Sequence, residues 1–483
     1  MLYPYKATLL AVALSAVQVT QLHGQTTIKA RLEQILADSL LKQAQVGISI
    51  RDVKSTNLIF EKNANQSFTP ASNLKLLTTA TALSALGADY RFVTTVMYTD
   101  SIQAGLFEGT LLVKGSGDPT LGSDKMPGQL NYQTLIRNWV VAFKSKGIRT
   151  FKGVLKIDAT HFEFNSIPKD YTWGDIGNYY GAGSFGFNVN DNQYILSLKP
   201  GSTVGATTTV VSIIPLDTAS TFNNHIKTGA AGSGDQSIIY AAPYSKYVFA
   251  EGTIPLGATY SVKGSISDPS RLLGQLLIAE MMKQGIEWMG ILKIVGENES
   301  ESVQQGFVVL LEHASPTIKE IATYTNLVSN NLYAECLLKE VAYRKTGVGA
   351  TDSGVNQIKR YVKSLGVDTF GLVLRDGSGM SPFNCITPNQ FSLFLSKQHL
   401  NKVFVMSIPV AGVDGTVSHI CKTANGKVRV KSGTMFGVTC YSGYVLSNSG
   451  TQYAVSLLIN KHEAKNRSIQ RILEKVLMAL VEN

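Results

Sequence analysis

The sequence has only four cysteines and seven histidines among 483 residues, and it has no apolar run of the ~20 residues that a membrane span needs. No C-x-x-C pair, H-E-x-x-H zinc motif or G-x-S-x-G nucleophile turn occurs. A histidine-based triad assembled from distant residues stays open, but no pattern favours one. We therefore expect no metal, no cofactor and no stable membrane span. Outside the cytoplasm the cysteines could be oxidised, and all three complete pairings stay open for Cys336, Cys385, Cys421 and Cys440.

Charged residues are also scarce, at 16% against 44% hydrophobic residues, which is the balance of an ordinary globular protein of two or three domains. The formal net charge is +10, or +9 without Lys6, and the basic residues form no nucleic-acid-binding motif. Such a modest excess suits an anionic surface or polymer, and we interpret it mainly as a contribution to solubility. No nucleic-acid partner is expected.

The first 24 residues have the pattern of a secretory signal peptide. One charge, Lys6, precedes an apolar core over residues 7–19, and a polar exit follows at residues 21–24. The apolar core is too short for a stable membrane anchor. We predict that residues 1–24 are removed and that the protein is secreted or periplasmic.

The rest of the chain divides by its secondary-structure patterns. Residues 91–305 are rich in short strand patterns and contain a weak internal repeat, in which a helix, a Gly-Ile turn and a strand occur first over residues 135–157 and again over residues 269–294. We predict an insert of two subdomains at 91–305. Residues 25–90 and 306–483 would then form one discontinuous domain.

Strand patterns lie at both ends of that discontinuous domain. Residues 46–52 and 58–60 predict a hairpin, residues 428–431, 438–446 and 453–459 predict a three-stranded meander, and a final helix is predicted at 469–481. These strands are expected to join in one antiparallel sheet packed on helices, which makes the fold class α+β.

A helix with a serine and a lysine near its start is the strongest candidate for the site. Pro70 suits a first turn, Gly87 suits a C-terminal cap, and no charge interrupts residues 76–86, so the helix should be buried. Ser72 and Lys75 are three residues apart and share a helix face. Burial and the helix dipole would lower the lysine pKa, and Lys75 could then take the proton of Ser72.

The same S-x-x-K spacing occurs at Ser39 and Lys42, where it is better explained as a solvated helix end, since such a string arises by chance about once or twice in a chain of this length. Two further strings accompany Ser72, one at residues 329–331 (Ser-Asn-Asn) and one at residues 431–434 (Lys-Ser-Gly-Thr). Taken singly, the first is explained equally well as a helix cap and the second as an edge strand.

Together, the three strings resemble the motifs of penicillin-binding proteins and serine β-lactamases. Blocks at residues 115–121, 376–381 and 410–416 resemble those of one subgroup, the class C D-alanyl-D-alanine carboxypeptidase/endopeptidase family (serine peptidase family S13). The resemblance covers nearly all of the chain after residue 24. It implies a serine β-lactamase-like antiparallel sheet flanked by helices, with a large β-rich insert.

The resemblance also implies roles for individual residues. Ser72 would attack the carbonyl between two terminal D-alanines, Lys75 would be its base, and Ser329 with Asn331 would relay protons and orient the substrate. Lys431 would meet the terminal carboxylate. The backbone N–H groups of Ser72 and Met435 would form the oxyanion hole, and the other substrate-binding residues would be Ser432, Gly433 and Thr434. The chain departs from the usual motifs at Asn330 and Ser432, and neither change removes a group with a chemical step.

Residues 173–180 resemble the family segment that reaches the side chain of the peptide stem. Asp175 would accept a hydrogen bond from the free amine of a diamino acid, and Tyr180 would pack along its methylenes. Many relatives have an arginine for the neighbouring carboxylate where this chain has Pro382. Selection of the amine with weak discrimination for that carboxylate is therefore expected. The alternative is that Asp175 only caps a turn beside Gly174 and Gly177.

The leading hypothesis is a serine D-Ala-D-Ala carboxypeptidase acting on peptidoglycan stem peptides, with endopeptidase action on cross-links left open, and with β-lactams as acylating inhibitors. A β-lactamase or esterase would use the same fold and nucleophile but would differ in deacylation. A non-catalytic wall-binding protein is the third hypothesis, and it predicts a broken motif, which the sequence does not show.

Overall fold

The structure is a computed structural model that describes residues 28–99, 101–296 and 306–483. The predicted signal peptide, residues 1–24, lies outside these ranges. The helices in the described ranges are residues 28–35, Lys75–Leu86, Tyr132–Lys144, Trp173–Ile176, Pro269–Lys283, Ile318–Val328, Asn331–Thr346, Thr351–Ser364, Pro388–Gln398, Lys402–Ser407 and Asn466–Val481.

The two ends of the chain form one five-stranded antiparallel sheet, as the strand patterns predicted. In spatial order its strands are Leu58–Lys62, Gln45–Asp52, Gln452–Asn460, Val438–Leu446 and Val428–Met435.

Both faces of this sheet are covered, which explains why Val438–Leu446 is buried at every position except its last. Since side chains alternate along a strand, Cys440 and Tyr444 pack against the helices Lys75–Leu86 and Pro388–Gln398 on one face. Tyr441 and Val445 join a second cluster with the helix at residues 28–35 and the C-terminal helix.

The central helix differs in one detail from the prediction. The α-helix spans Lys75–Leu86 and ends at Gly87, whose φ of +92° suits glycine. Residues Ala71–Leu74, however, form a tighter 3-10 turn, and Ala71 has a positive φ of 45°. Ser72 therefore lies in a constrained turn just before the helix. Every helix residue from Lys75 to Leu83 is buried.

The insert contains a five-stranded mixed sheet with strands, in spatial order, Ile291–Val295, Val154–Asp158, Thr110–Lys114, Val93–Thr99 and Phe307–Ala314. The two predicted repeat units lie side by side in it. Strands Val154–Asp158 and Ile291–Val295 are parallel neighbours, and the helices that precede them, Tyr132–Lys144 and Pro269–Lys283, pack together. A smaller sheet repeats the pattern with strands Glu287–Trp288, Thr150–Phe151, Leu106–Phe107 and Ile102–Gln103.

The remaining β structure of the insert forms three small sheets. Their strands are Gln193–Lys199, Thr209–Ile214 and Tyr260–Ser265; Thr221–Asn224, Ile238–Tyr240 and Tyr247–Glu251; and Lys227–Gly229 and Thr253–Pro255. The strand Phe307–Ala314 lies beyond the predicted boundary at 305/306 but pairs with Val93–Thr99 of the insert. This pairing favours a boundary after Ala314. The division of the insert into two subdomains stays a prediction.

All four cysteines are unpaired, and three of them, Cys336, Cys421 and Cys440, are buried. Within the three described ranges, no helix combines the length and apolar character needed to cross a bilayer.

Candidate active site

The site is centred on Lys75, a lysine with no exposed surface. Its Nζ donates to Ser72 Oγ at 2.9 Å, to Asn331 Oδ1 at 2.6 Å and to the backbone carbonyl of Ser378 at 2.6 Å. The predicted Ser72–Lys75 contact is therefore present, although a 3-10 turn rather than an α-helical turn delivers it. As the ammonium, the amine can donate to all three acceptors, whereas the neutral amine has two N–H donors and a lone pair that can accept from the Ser72 hydroxyl.

Burial lowers the pKa of Lys75 from 10.5 to about 7, because the charged ammonium loses its hydration. Asp376 and then Glu335 act in the opposite direction, since their carboxylates favour the ammonium. The balance leaves a lysine that is substantially neutral near pH 7, which is the form able to accept a proton from Ser72.

Ser329 and Asn331 enter the site from the turn between two helices. Ser329 ends the helix Ile318–Val328 in a left-handed conformation, and Asn330 caps the next helix by accepting from the backbone N–H of Tyr333. The cap interpretation of this string is thus right for Asn330, a role that aspartate would also fill. The residues on either side of Asn330 contact the two lysines of the site: Asn331 accepts from Lys75, and Ser329 accepts from Lys431.

Lys431 reaches the same site from the edge strand Val428–Met435. Its Nζ donates to Ser329 Oγ at 2.9 Å and to the carbonyl of Ser432 at 2.7 Å. The strand is an edge strand, as the simpler interpretation of this string predicted, but the side chain of Lys431 has no exposed surface. Burial, and secondly the nearby charge of Lys75, lower the pKa of Lys431 well below its usual value.

The rest of that strand lies close to the serine turn. A Cβ at Gly433 would lie 2.7 Å from the carbonyl oxygen of Pro70, so glycine is required for this approach. Ser432 Oγ is 2.7 Å from Thr416 Oγ1, a bond that any hydroxyl side chain at position 432 could make. Thr434 and Met435 follow at the wall of the cleft.

A cleft of about 940 Å³ opens over Ser72, and it is lined by residues of the predicted insert and of both segments that flank it. Its lining includes Ser329, Asn331, Met435, Pro382, Asp175 and Tyr180. Asn331 Nδ2 donates to the backbone carbonyl of Tyr180 at 2.8 Å and thereby ties the insert to the site.

Asp175 lies on the short helix Trp173–Ile176, and its Oδ2 accepts from Thr172 Oγ1 at 2.6 Å. Burial, and secondly Asp175, raise the pKa of Tyr180 to about 12, partly through a hydrogen bond between the two side chains. Both residues line the cleft, and Asp175 also stabilises its own turn through Thr172. The S-x-x-K string at Ser39 and Lys42 lies outside the cleft lining, and both of these residues are exposed.

Sequence reasoning missed three groups near Lys75: the carboxylates of Glu335 and Asp376 and the carbonyl of Ser378. The block at residues 376–381 was singled out as a resemblance, but no role was given to its aspartate. Glu335 lies inside the buried helix Asn331–Thr346, where an isolated carboxylate is costly and needs partners, but the sequence alone does not show this burial.

Comparison with known proteins identifies the family. A model of the D-Ala-D-Ala carboxypeptidase 3 (S13) family matches residues 28–480. The chain belongs to this family. The predicted family and the predicted enzyme class, a serine-type D-Ala-D-Ala carboxypeptidase, are confirmed.

Two curated relatives match the S13 chain over most of their length. A D-alanyl-D-alanine carboxypeptidase of Actinomadura sp. (strain R39) is 29% identical over 453 residues, which cover 90% of this chain and 81% of the relative. The penicillin-sensitive carboxypeptidase A of Dictyostelium discoideum is 26% identical, with 88% and 84% covered. Among solved structures, penicillin-binding protein 4 (dacB) from Haemophilus influenzae superposes with a TM-score of 0.79 at 19% identity, covering 94% of this chain and 99% of that one. The predicted fold is confirmed.

Proposed function

We propose that Ser72 is the nucleophile of this S13 carboxypeptidase and that it attacks the carbonyl between the terminal D-alanines of peptidoglycan stem peptides. Lys75 accepts the hydroxyl proton, a serine ester forms, D-alanine leaves, and water then hydrolyses the ester. The observation that carries the proposal is the 2.9 Å contact between Ser72 Oγ and an amine that is fully buried and has a pKa of about 7.

The surrounding groups support the remaining roles. Asn331 and Ser329 each bond one of the two lysines, which supports their proposed roles in passing protons and orienting the substrate. Lys431 is proposed to meet the terminal carboxylate, since in the described ranges this buried amine bonds only a hydroxyl and a carbonyl, and such an amine favours an anionic ligand. The backbone N–H groups of Ser72 and Met435 are proposed as the oxyanion hole, and Ser432, Gly433 and Thr434 as the strand along which the substrate lies.

We further infer that the insert contributes to the recognition of the stem peptide. Asp175 lines the cleft and is proposed to bind the free amine of a diamino acid, with Tyr180 beside its methylenes. Pro382 also lines the cleft and offers no donor, which supports weak discrimination for the neighbouring carboxylate.

A secreted or periplasmic location is proposed from the leader-like residues 1–24 and from the wall-bound substrate. We also propose that β-lactams acylate Ser72. The Dictyostelium relative is named penicillin-sensitive, and the Haemophilus fold relative has been solved in complex with a β-lactam.

The test is incubation with a labelled penicillin, followed by mapping of the modified peptide. Wild type should form a stable adduct at Ser72, Ser72→Ala should form none, and the matched variant Ser39→Ala should label normally. A rapid loss of the label by hydrolysis would favour a β-lactamase instead. Absence of labelling in wild type, with no release of D-alanine from a D-Ala-D-Ala peptide, would favour the non-catalytic hypothesis.

A further inference from the structure

Glu335 lies beneath the site and is almost completely buried, with 2% of its surface exposed. It occupies the helix Asn331–Thr346, one turn after Asn331. Its Oε1 accepts from the backbone N–H groups of Gly377 at 3.0 Å and Ser378 at 2.8 Å, and its Oε2 accepts from Gly377 at 3.1 Å. This single carboxylate therefore holds two consecutive peptide groups of one loop.

The loop held in this way, residues 376–381, supplies an anchor of Lys75. The carbonyl of Ser378 accepts from Lys75 Nζ at 2.6 Å, while the N–H of the same residue donates to Glu335. A shift of the carboxylate would move this loop and with it the amine. The second half of the loop is held from within, because Asp376 accepts from the N–H groups of Gly379 at 2.9 Å and Ser381 at 2.6 Å.

The insert completes the shell of Glu335 through Tyr171, which is 9% exposed. Its hydroxyl donates to Glu335 Oε1 at 3.0 Å and lies 2.8 Å from Ser378 Oγ. The tyrosine thus contacts both the carboxylate and the residue whose carbonyl binds Lys75.

We propose that Glu335, completed by Tyr171 of the insert, is a positioning residue that fixes Lys75 through the backbone of Ser378 and supplies part of its electrostatic environment. The inference rests on the proposed role of Lys75 as the base. In the described part of the chain, the side chain of Glu335 accepts from Gly377, Ser378 and Tyr171 rather than from Ser72, and Glu335 does not line the cleft. Through this contact the insert takes part in organising the catalytic lysine, in addition to its proposed role in specificity.

The charges around Lys75 determine the expected pH effect. Two carboxyl groups, Asp376 and Glu335, favour its ammonium form, and a second lysine, Lys431, lies on the other side of the site. Loss of the Glu335 charge should lower the pKa of Lys75 further. Burial and the charge of Glu335 both raise the pKa of Asp376, so Asp376 would ionise more readily in a variant lacking Glu335 and would replace part of the lost charge.

The chain offers a matched control for this carboxylate. Glu340 lies on the same helix, has no exposed surface, and likewise accepts from a tyrosine hydroxyl, that of Tyr90 at 2.6 Å. It also pairs with His161 of the insert at 2.7 Å. Glu340→Gln and Tyr90→Phe therefore disturb a comparable buried pair whose hydrogen bonds, among the described residues, do not involve the 376–381 loop.

The experiment measures the second-order rate of acylation by a labelled penicillin from pH 5 to 9 for the full chain. Glu335→Gln should lower the plateau rate about 10- to 100-fold, the range expected when a catalytic group is misplaced by about 1 Å, and should move the acid limb to lower pH. Glu335→Asp keeps the negative charge, but its shorter side chain moves the carboxylate away from the N–H groups of Gly377 and Ser378. The plateau rate of this variant should therefore fall, while its acid limb stays at the wild-type pH. Tyr171→Phe should lower the plateau rate of acylation about tenfold, because it removes one hydrogen bond to a charged group.

Glu340→Gln and Tyr90→Phe should lower the melting temperature without changing the acylation profile. The proposal is overturned if Glu335→Gln and Tyr171→Phe keep the wild-type plateau and acid limb, or if Glu340→Gln lowers acylation equally. If Glu335→Gln does not fold, the acylation rates of Tyr171→Phe and Tyr90→Phe are compared instead. Equal rates for these two variants would then overturn the proposal. Labelling that survives in Ser72→Ala would instead contradict the proposed function, so the two failures are distinguishable.

Discussion

The pH dependence of acylation follows from the burial of Lys75. A fall in its pKa from 10.5 to about 7 corresponds to about 5 kcal/mol of lost preference for the ammonium, at ~1.4 kcal/mol per unit. Because the side chain is fully buried, screening by solvent does not reduce this figure much. At pH 7 about half of the lysines are then neutral, whereas an ordinary lysine would be neutral in roughly three molecules of ten thousand.

We therefore expect the rate of acylation to rise about tenfold per pH unit between pH 5 and 6.5 and to level off above about pH 7.5, since only the neutral amine accepts a proton. The assay is stopped-flow acylation by a fluorescent β-lactam whose own charge is constant over this range, at fixed ionic strength, with circular dichroism at each pH to confirm folding. A rate that keeps climbing tenfold per unit to pH 9 would show an ordinary lysine. A flat profile below pH 7 would show that Lys75 is not the base.

Three further predictions concern the cleft. Lys431→Ala should reduce turnover of a D-Ala-D-Ala peptide by more than that of its C-terminally amidated analogue, and an equal loss on both would refute carboxylate binding by this lysine. Asp175→Ala should remove the preference for a peptide with a free side-chain amine over its acetylated form in competition assays, and a retained preference would make Asp175 structural. Gly379→Ala should destabilise the protein by more than the ~1–3 kcal/mol of a strained φ alone, because its Cβ would lie 2.0 Å from the carbonyl oxygen of Ala71. Gly371→Ala is the matched control, because Gly371 has a similar positive φ but no atom within 4 Å of the added Cβ. Equal melting temperatures for the two variants would contradict the clash at Gly379.

The sequence predicted most of the fold because apolar residues recur with clear periods at both ends of the chain. Alternating apolar and polar residues over 46–52 predicted the strand Gln45–Asp52, and the Gly-Ile turns identified the two repeat units of the insert. The end of the insert was harder to place, since the strand Phe307–Ala314 has the same pattern whichever sheet it joins. Only its pairing with Val93–Thr99 distinguishes the two.

The site could be predicted where side chains recur at fixed spacings. Ser72 and Lys75 are neighbours by local geometry, and the strings at residues 329–331 and 431–434 match motifs that bring distant segments together. The carbonyl of Ser378 could not be found in this way, because a backbone group has no sequence signature. Glu335 was missed for a related reason: the sequence does not show whether a helix glutamate faces solvent or the interior.

The burial of Lys431 has a consequence for how the substrate binds. In the described part of the chain this amine bonds a hydroxyl and a carbonyl but pairs with no carboxylate, and its pKa is lowered well below the usual value. A substrate carboxylate would be its first counter-charge and would favour the ammonium, so binding should draw a proton from solution. Binding heats measured in buffers of different ionisation enthalpy would reveal this uptake, and identical heats would exclude it. A stem peptide with a free carboxylate would thus bring about protonation of the lysine that binds it, whereas an amidated peptide would leave the protonation state of Lys431 unchanged.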